Sequence, residues 1–202
     1  MNNLPTNPVM LAIYCLAAYL MGSIPSGYLV AKSRGIDIRQ EGSGNIGGTN
    51  VTRSLGLRWG ALVGVLDFLK SFIPAYLAHR FLAVSWQALL VSLMPVLGHI
   101  FPIWLKFKGG KGVSTVFGIL AAYFGLLFFL AWFVIWYLAV KFVKLMSLVN
   151  LVMALSFPLL FWFGFNSLLH VAFGGLLCAL VWWSHRSNIK RLVAGNENLT
   201  NY

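Results

Sequence analysis

Acidic side chains are scarce in this 202-residue chain: Asp37, Glu41, Asp67 and Glu197 stand against fifteen Lys and Arg, giving a formal net charge of +11. Two aspartates are too few for a metal-dependent phosphotransfer centre, which draws on several. No carboxylates are paired for acid–base work, and neither GxSxG nor HExxH occurs. Cys15 and Cys178 each sit in an apolar run without CxxC spacing, so they read as packing residues and not as a disulfide or metal pair. The start, MNNLPTNPVM, lacks the basic region of a cleavable signal peptide, so the first apolar run is expected to remain as a membrane span. These absences point to chemistry without a metal or a covalent nucleophile.

What the chain has is apolar length. It is 59% hydrophobic, with several runs near the ~20 residues a helix needs to cross ~30 Å of hydrocarbon. It therefore reads as an all-α integral membrane protein, and segments between runs are too short for a second domain, so residues 1–202 read as one. Spans are predicted near 9–30, 59–79, 86–105, 112–124, 125–141, 146–164 and 167–184. The stretch from Gly112 to Val140 is long for one crossing and short for two, and charge decides between them. A hairpin of short helices turning near 123–125 puts Lys32, Arg34, Arg39, Arg53, Arg58, Lys106, Lys108, Lys111, Lys141, Lys144, Arg186, Lys190 and Arg191 on one side, leaving only Arg80 opposite and Lys70 within a span. One long helix would break that bias, so seven transmembrane helices are expected, with the N-terminus outside and the C-terminus cytoplasmic.

The same topology gathers the polar segments on the cytoplasmic face. EGSGNIGGTN, residues 41–50, carries glycines at 42, 44, 47 and 48 that can turn backbone N–H groups toward an anion, with Ser43, Asn45, Thr49, Asn50 and Arg53 supplying polar side chains. A guanidinium there can grip a phosphate with two parallel hydrogen bonds. KFKGGKGVST, residues 106–115, sets Gly110 and Lys111 at the opening of an apolar run, where helix N-terminal amides attract phosphate; GxxxxGK[ST] is not met, which argues against a nucleotide loop. In SHRSNIKRL, His185, Asn188 and Arg191 recur at i, i+3 and i+6, one face of a continuing helix. GSIPSGYLVAK, 22–32, reads as a kink or break at the inner end of the first span. Asp67 and Lys70 can meet on one face of the second span, as a structural pair or a substrate contact. His79, His99 and His170 read as structural.

GSGNIGGTNVTR, GHIFPIWLKFKGGKGVST and HRSNIKRL, in this order, resemble the motifs of the bacterial acyl-phosphate:glycerol-3-phosphate acyltransferases, the PlsY family. The HxxxxD signature of other glycerolipid acyltransferases is missing, since none of the four histidines has an Asp four or five residues on. The resemblance runs from GSIPSGYLVAK to NIKRLVAGNE. It implies transfer of a long-chain acyl group from acyl phosphate to the 1-hydroxyl of glycerol 3-phosphate, giving lysophosphatidic acid and phosphate, in a bacterial inner or plasma membrane. Membrane lipid is the implied surrounding, with no cofactor, metal or nucleic acid. By motif, Ser43, Gly44, Asn45, Asn50, Arg53, Gly110, Lys111 and Arg191 fall to the phosphate-binding set, and His185, Asn188 and Ser147 to the catalytic set. Gly48, Ser114 and Ser71 depart from the family's Ala, Ala and Gly, all within small side chains. The competing class is a transporter for phosphate or a phosphorylated metabolite, which should show internal repeats and charged breaks at mid-membrane; no repeat is found, and the cations collect on one face.

Overall fold

The computed structural model describes residues 7–200, which contain eleven α-helices, two short 3₁₀ turns and no strand. The chain forms two compact units, 1–123 and 124–202.

In the first unit, α1 (Pro8–Ser23) is started by Asn7, whose side chain accepts the Met10 N–H at 2.9 Å. Ile24 and Pro25 interrupt it, because proline has no N–H to continue the ladder, and α2 (Ser26–Lys32) follows. Together they make a 25-residue apolar span, with the break where GSIPSG predicts one. The short amphipathic α3 (Gly48–Leu55) leads into α4 (Leu57–Phe81), and α5 (Ser85–Ile100) returns. Helix α5 packs on both α1 and α4, and α3 lies on α4. The α1–α5 contact is close because Gly98 has no Cβ: one placed there would overlap the Tyr19 carbonyl and crowd the Ser23 amide. Helix α6 (Val113–Phe124) ends the unit.

The second unit holds α7 (Leu126–Val143), α8 (Met146–Ala154), α9 (Phe157–Phe165), α10 (Leu168–Ser184) and α11 (Arg186–Val193). The span expected near 146–164 is present as one 20-residue apolar segment, Met146–Phe165, with a turn at Leu155 and Ser156 between α8 and α9, where the Ser156 hydroxyl donates to the Met153 carbonyl at 2.7 Å and Pro158 opens α9. His170 stacks on Phe165 with ring centroids 4.4 Å apart, a packing role.

Among the described residues, five segments are long and apolar enough to cross a membrane, and counting the bent α10–α11 pair as one span gives six. Helix α6 has 12 residues, about 18 Å at 1.5 Å per residue, and is shorter than a full crossing. It stops where a turn was expected, with Gly125 at φ +86° before α7. Many large apolar side chains lie outward, among them Leu127, Phe163 and Leu168. In a bilayer that surface meets lipid.

Candidate active site

The segment leading into α3 is organised by one buried amide. Asn50, 2% exposed, donates from Nδ2 to the carbonyls of Ile38 (3.2 Å) and Glu41 (2.9 Å), and its Oδ1 accepts the Ser43 N–H at 3.0 Å. Asn45 closes a second small turn, its Oδ1 accepting the Gly47 N–H at 2.9 Å. Gly42 and Gly44 take positive φ, +52° and +68°, as the tight path around Asn50 requires. Asn50 and Asn45 therefore act on the loop's own backbone. Ser43 is left at the surface, and one turn along α3 Arg53 is exposed, without an ion-pair partner among the described residues. At the loop's start the Arg39 guanidinium, hydrogen-bonded to Asp37 and paired with it, holds that carboxyl down to about 2. Because the folded value is depressed, the pair's contribution is present above the ordinary carboxylate range and is lost only as pH falls toward 2.

The second phosphate-compatible segment links α5 to α6. The 3₁₀ turn Ile103–Leu105 is followed by two non-glycine residues in left-handed conformation, Lys106 (φ 52°) and Phe107 (φ 61°), with the Phe107 N–H donating to the Pro102 carbonyl at 2.9 Å. The chain then folds back onto the end of α5: Gly109 and Gly110 donate to the carbonyls of Ile100 (3.1 Å) and His99 (3.0 Å). Gly110 is buried and Lys111 half-buried. Both segments and their candidate residues, Ser43, Gly44, Asn45, Asn50, Arg53, Gly110 and Lys111, belong to the first unit.

Ser147, His185, Asn188 and Arg191 belong to the second. The continuing helix expected over 184–192 is absent: α10 and α11 are bent by 62° with His185 at the joint. Three donors crowd one carbonyl there. Val181 accepts from the His185 N–H (3.1 Å), the Ser184 hydroxyl (2.9 Å) and His185 Nδ1 (2.8 Å). A carbonyl can only accept, so Nδ1 carries a proton. His185 is 1% exposed.

Asn188 and Arg191 sit one turn apart on α11, and both are held by Glu197. Asn188 Nδ2 donates to Oε1 at 2.7 Å, and Arg191 Nε donates to Oε2 at 2.8 Å in an ion pair. The segment reaches Glu197 through a turn at Gly195 (φ +70°), and further on the Thr200 N–H donates to the Lys144 carbonyl at 2.8 Å. Among the described residues, buried polar atoms without a hydrogen-bond partner here include Asn188 Oδ1, Thr200 Oγ1 and Ser147 Oγ, the last in the first turn of α8, which packs against α11. Sequence reasoning missed Glu197. Its signal was scarcity, one carboxylate of four, six and nine residues beyond two candidate site residues.

A buried, oriented imidazole beside an anchored amide with an unmet oxygen suits recognition of hydroxyls. The sequence profile of the family described as glycerol-3-phosphate acyltransferase matches residues 12–195. The chain belongs to this family. A glycerol-3-phosphate acyltransferase of Aquifex aeolicus is 43% identical, the match covering 90% of this chain and 94% of that one. One of Bacillus velezensis is 41% identical, covering 94% and 97%. Among solved structures, the glycerol 3-phosphate form of PlsY, an integral membrane glycerol 3-phosphate acyltransferase, superposes with a TM-score of 0.87 at 38% identity, covering 95% of this chain and 96% of that one. Its lysophosphatidic acid form gives 0.85 at 37%. The family likeness thus spans both units and every candidate segment, and with its apolar helices and its match to an integral membrane structure this chain is a multi-pass membrane protein.

Proposed function

We propose that the protein acylates glycerol 3-phosphate at its 1-hydroxyl with a long-chain acyl phosphate, releasing lysophosphatidic acid and phosphate. Family membership supports the acceptor. The observation that carries the residue assignment is Asn188: fixed by Glu197 through its Nδ2, it keeps a buried Oδ1 without a partner, an acceptor poised for a substrate hydroxyl. Ser147 offers a second unmet hydroxyl.

An acyl phosphate is already activated. The acceptor's hydroxyl oxygen attacks the acyl carbonyl, the bond from that carbon to the phosphate oxygen breaks, and the departing phosphate takes the hydroxyl proton. No other reactant is needed, so the protein's part is positioning and charge stabilisation. Arg53, Ser43 and Lys111 neutralise substrate phosphate, while Asn50, Asn45 and Gly44 shape one loop and Gly110 the other. His185 and Asn188 orient the acceptor, with Arg191 adding positive charge. The orienting partner of His185 Nδ1 is the neutral Val181 carbonyl, and the phosphate oxygens of the donor are the acceptor we assign to the hydroxyl proton.

The reading includes seven crossings in a bacterial inner or plasma membrane, with both basic loops and the 184–192 cluster cytoplasmic. The test is acyl transfer by purified protein in detergent, with radiolabelled glycerol 3-phosphate, chelator, and long-chain acyl phosphate, acyl-CoA or acyl carrier protein as donor. Product from acyl phosphate alone, lost in Arg53→Ala, is the expected result. Product only from acyl-CoA or acyl carrier protein would refute the donor assignment, and no product from any donor would refute the activity.

A further inference from the structure

The first unit buries a carboxylate, an amine and an imidazole that the mechanism above does not use. Asp67, Lys70 and His99 are 2%, 6% and 5% exposed, inside α4 and α5. Charges at such depth are costly and are retained where they do something. Part of the arrangement is structural. Lys70 Nζ lies 2.8 Å from Asp67 Oδ1 and donates to the Ile24 carbonyl at 2.8 Å, which ties α4 to the break between α1 and α2.

The histidine is not explained by that role, since an apolar ring would fill its volume without a polar cost. Its two edges face different things. Nδ1 is 3.6 Å from Asp67 Oδ1, and Nε2 lies against Gly110 so closely that a Cβ on that residue would overlap the ring. The main chain makes a second attachment, through the Gly110 and Gly109 amides on the His99 and Ile100 carbonyls. The residue after Gly110 is Lys111. Nδ1 makes no hydrogen bond at that distance, so the carboxylate acts on the ring through its charge, and the Nε2 edge is the one that meets the loop.

We propose that His99, braced by the Asp67–Lys70 pair, is a positioning residue for the Gly109–Lys111 loop, setting the affinity for the substrate phosphate that Lys111 holds and not the rate of acyl transfer. This rests on the reading of Lys111 as a phosphate ligand. The imidazole is the floor on which the loop sits; without it the loop settles, and a cation displaced by about 1 Å binds its anion less well.

The experiment is steady-state kinetics of the purified protein in detergent, varying glycerol 3-phosphate and acyl phosphate separately, for wild type, Lys111→Ala, His99→Ala, His99→Gln, Asp67→Asn, Gly110→Ala and two double variants, His99→Ala/Lys111→Ala and His99→Ala/Gly110→Ala. His99→Ala should raise KM for the same substrate as Lys111→Ala does, by about tenfold, with kcat within about threefold. His99→Gln, which keeps an amide against the loop, should fall between it and wild type, and Asp67→Asn should move the same KM by a smaller factor. Because His99 acts through Lys111, the His99→Ala/Lys111→Ala protein should be within about twofold of Lys111→Ala alone. Gly110→Ala should be less harmful in the His99→Ala background than in wild type, since the added methyl then has room. A KM within twofold of wild type in His99→Ala, or a fall in kcat alone, overturns the proposal while leaving the phosphate reading intact. No KM change in Lys111→Ala removes that reading, and the proposal with it. Where His99→Ala does not yield monodisperse protein, His99→Gln and Asp67→Asn decide by the same KM criterion.

Discussion

Glu197 holds Asn188 and Arg191 on the two oxygens of one carboxylate, and its side chain is 6% exposed. Glu197→Ala would leave the Asn188 Nδ2 buried without an acceptor, at a cost of about 1–3 kcal/mol. Thermal unfolding in detergent should show a clear drop, and Glu197→Gln, which keeps an oxygen for Asn188, a smaller one. Equal losses in the two variants would mean that the Arg191 charge pair is what matters. For His185 the discriminating measurement is the acid limb of kcat/KM. Substrate phosphates titrate near ~6 and so does histidine; if the proton goes to phosphate, the limb of His185→Gln stays within about 0.3 unit of wild type, whereas a histidine base would take the limb away with it. His185 and Asn188 were legible in the sequence from their spacing and motif. What each is bonded to was not, because Val181 contributes only its main chain and Glu197 lies beyond a turn that only Gly195 announces.

Among the helices, two glycines separate backbone propensity from packing. Gly98 of α5 is pressed against α1, whereas nothing lies within van der Waals reach of a Cβ on Gly64 of α4. Gly98→Ala must push α1 away, costing about 1–3 kcal/mol as overpacking does, while Gly64→Ala should be neutral or stabilising by up to about 1 kcal/mol. Thermal stability of the two proteins in the same detergent checks this, and a Gly98→Ala protein as stable as wild type would show that α1 and α5 can separate without loss. Span positions were readable to within a few residues because hydropathy is summed over twenty of them. The breaks were readable only where proline and glycine cluster, as at Ser23–Ser26. The bend at His185 lies in a sequence, WWSHRSN, with neither, and arises from donors competing for a single carbonyl, which no local propensity encodes.

At the scale of the molecule, charge and apolar surface set the orientation in the bilayer. Thirteen of the fifteen Lys and Arg fall in loops assigned to one side, and the proposed seven-crossing topology predicts residues 7 and 190 on opposite sides. With Cys15 and Cys178 replaced by alanine, single cysteines at those positions should react with an impermeant maleimide in opposite orientations of sealed vesicles. Labelling of both from one side would require an even number of crossings, with α6 not counting as one. Sequence could not settle that count, because 12 residues of helix lie between a full span and a loop, and hydropathy measures composition, not depth.

The Val181 carbonyl that orients His185 belongs to the main chain, so it has no codon. A histidine held by an aspartate can lose that partner to a single base change; His185 cannot lose the Val181 oxygen that way. Whatever the side chain at 181, the oxygen stays, and the imidazole keeps its Nδ1 proton as long as the helix bends there. The buried Val181 side chain answers to packing alone, and adjusting this histidine by design means editing the peptide unit itself, for instance as an ester or thioamide at residue 181.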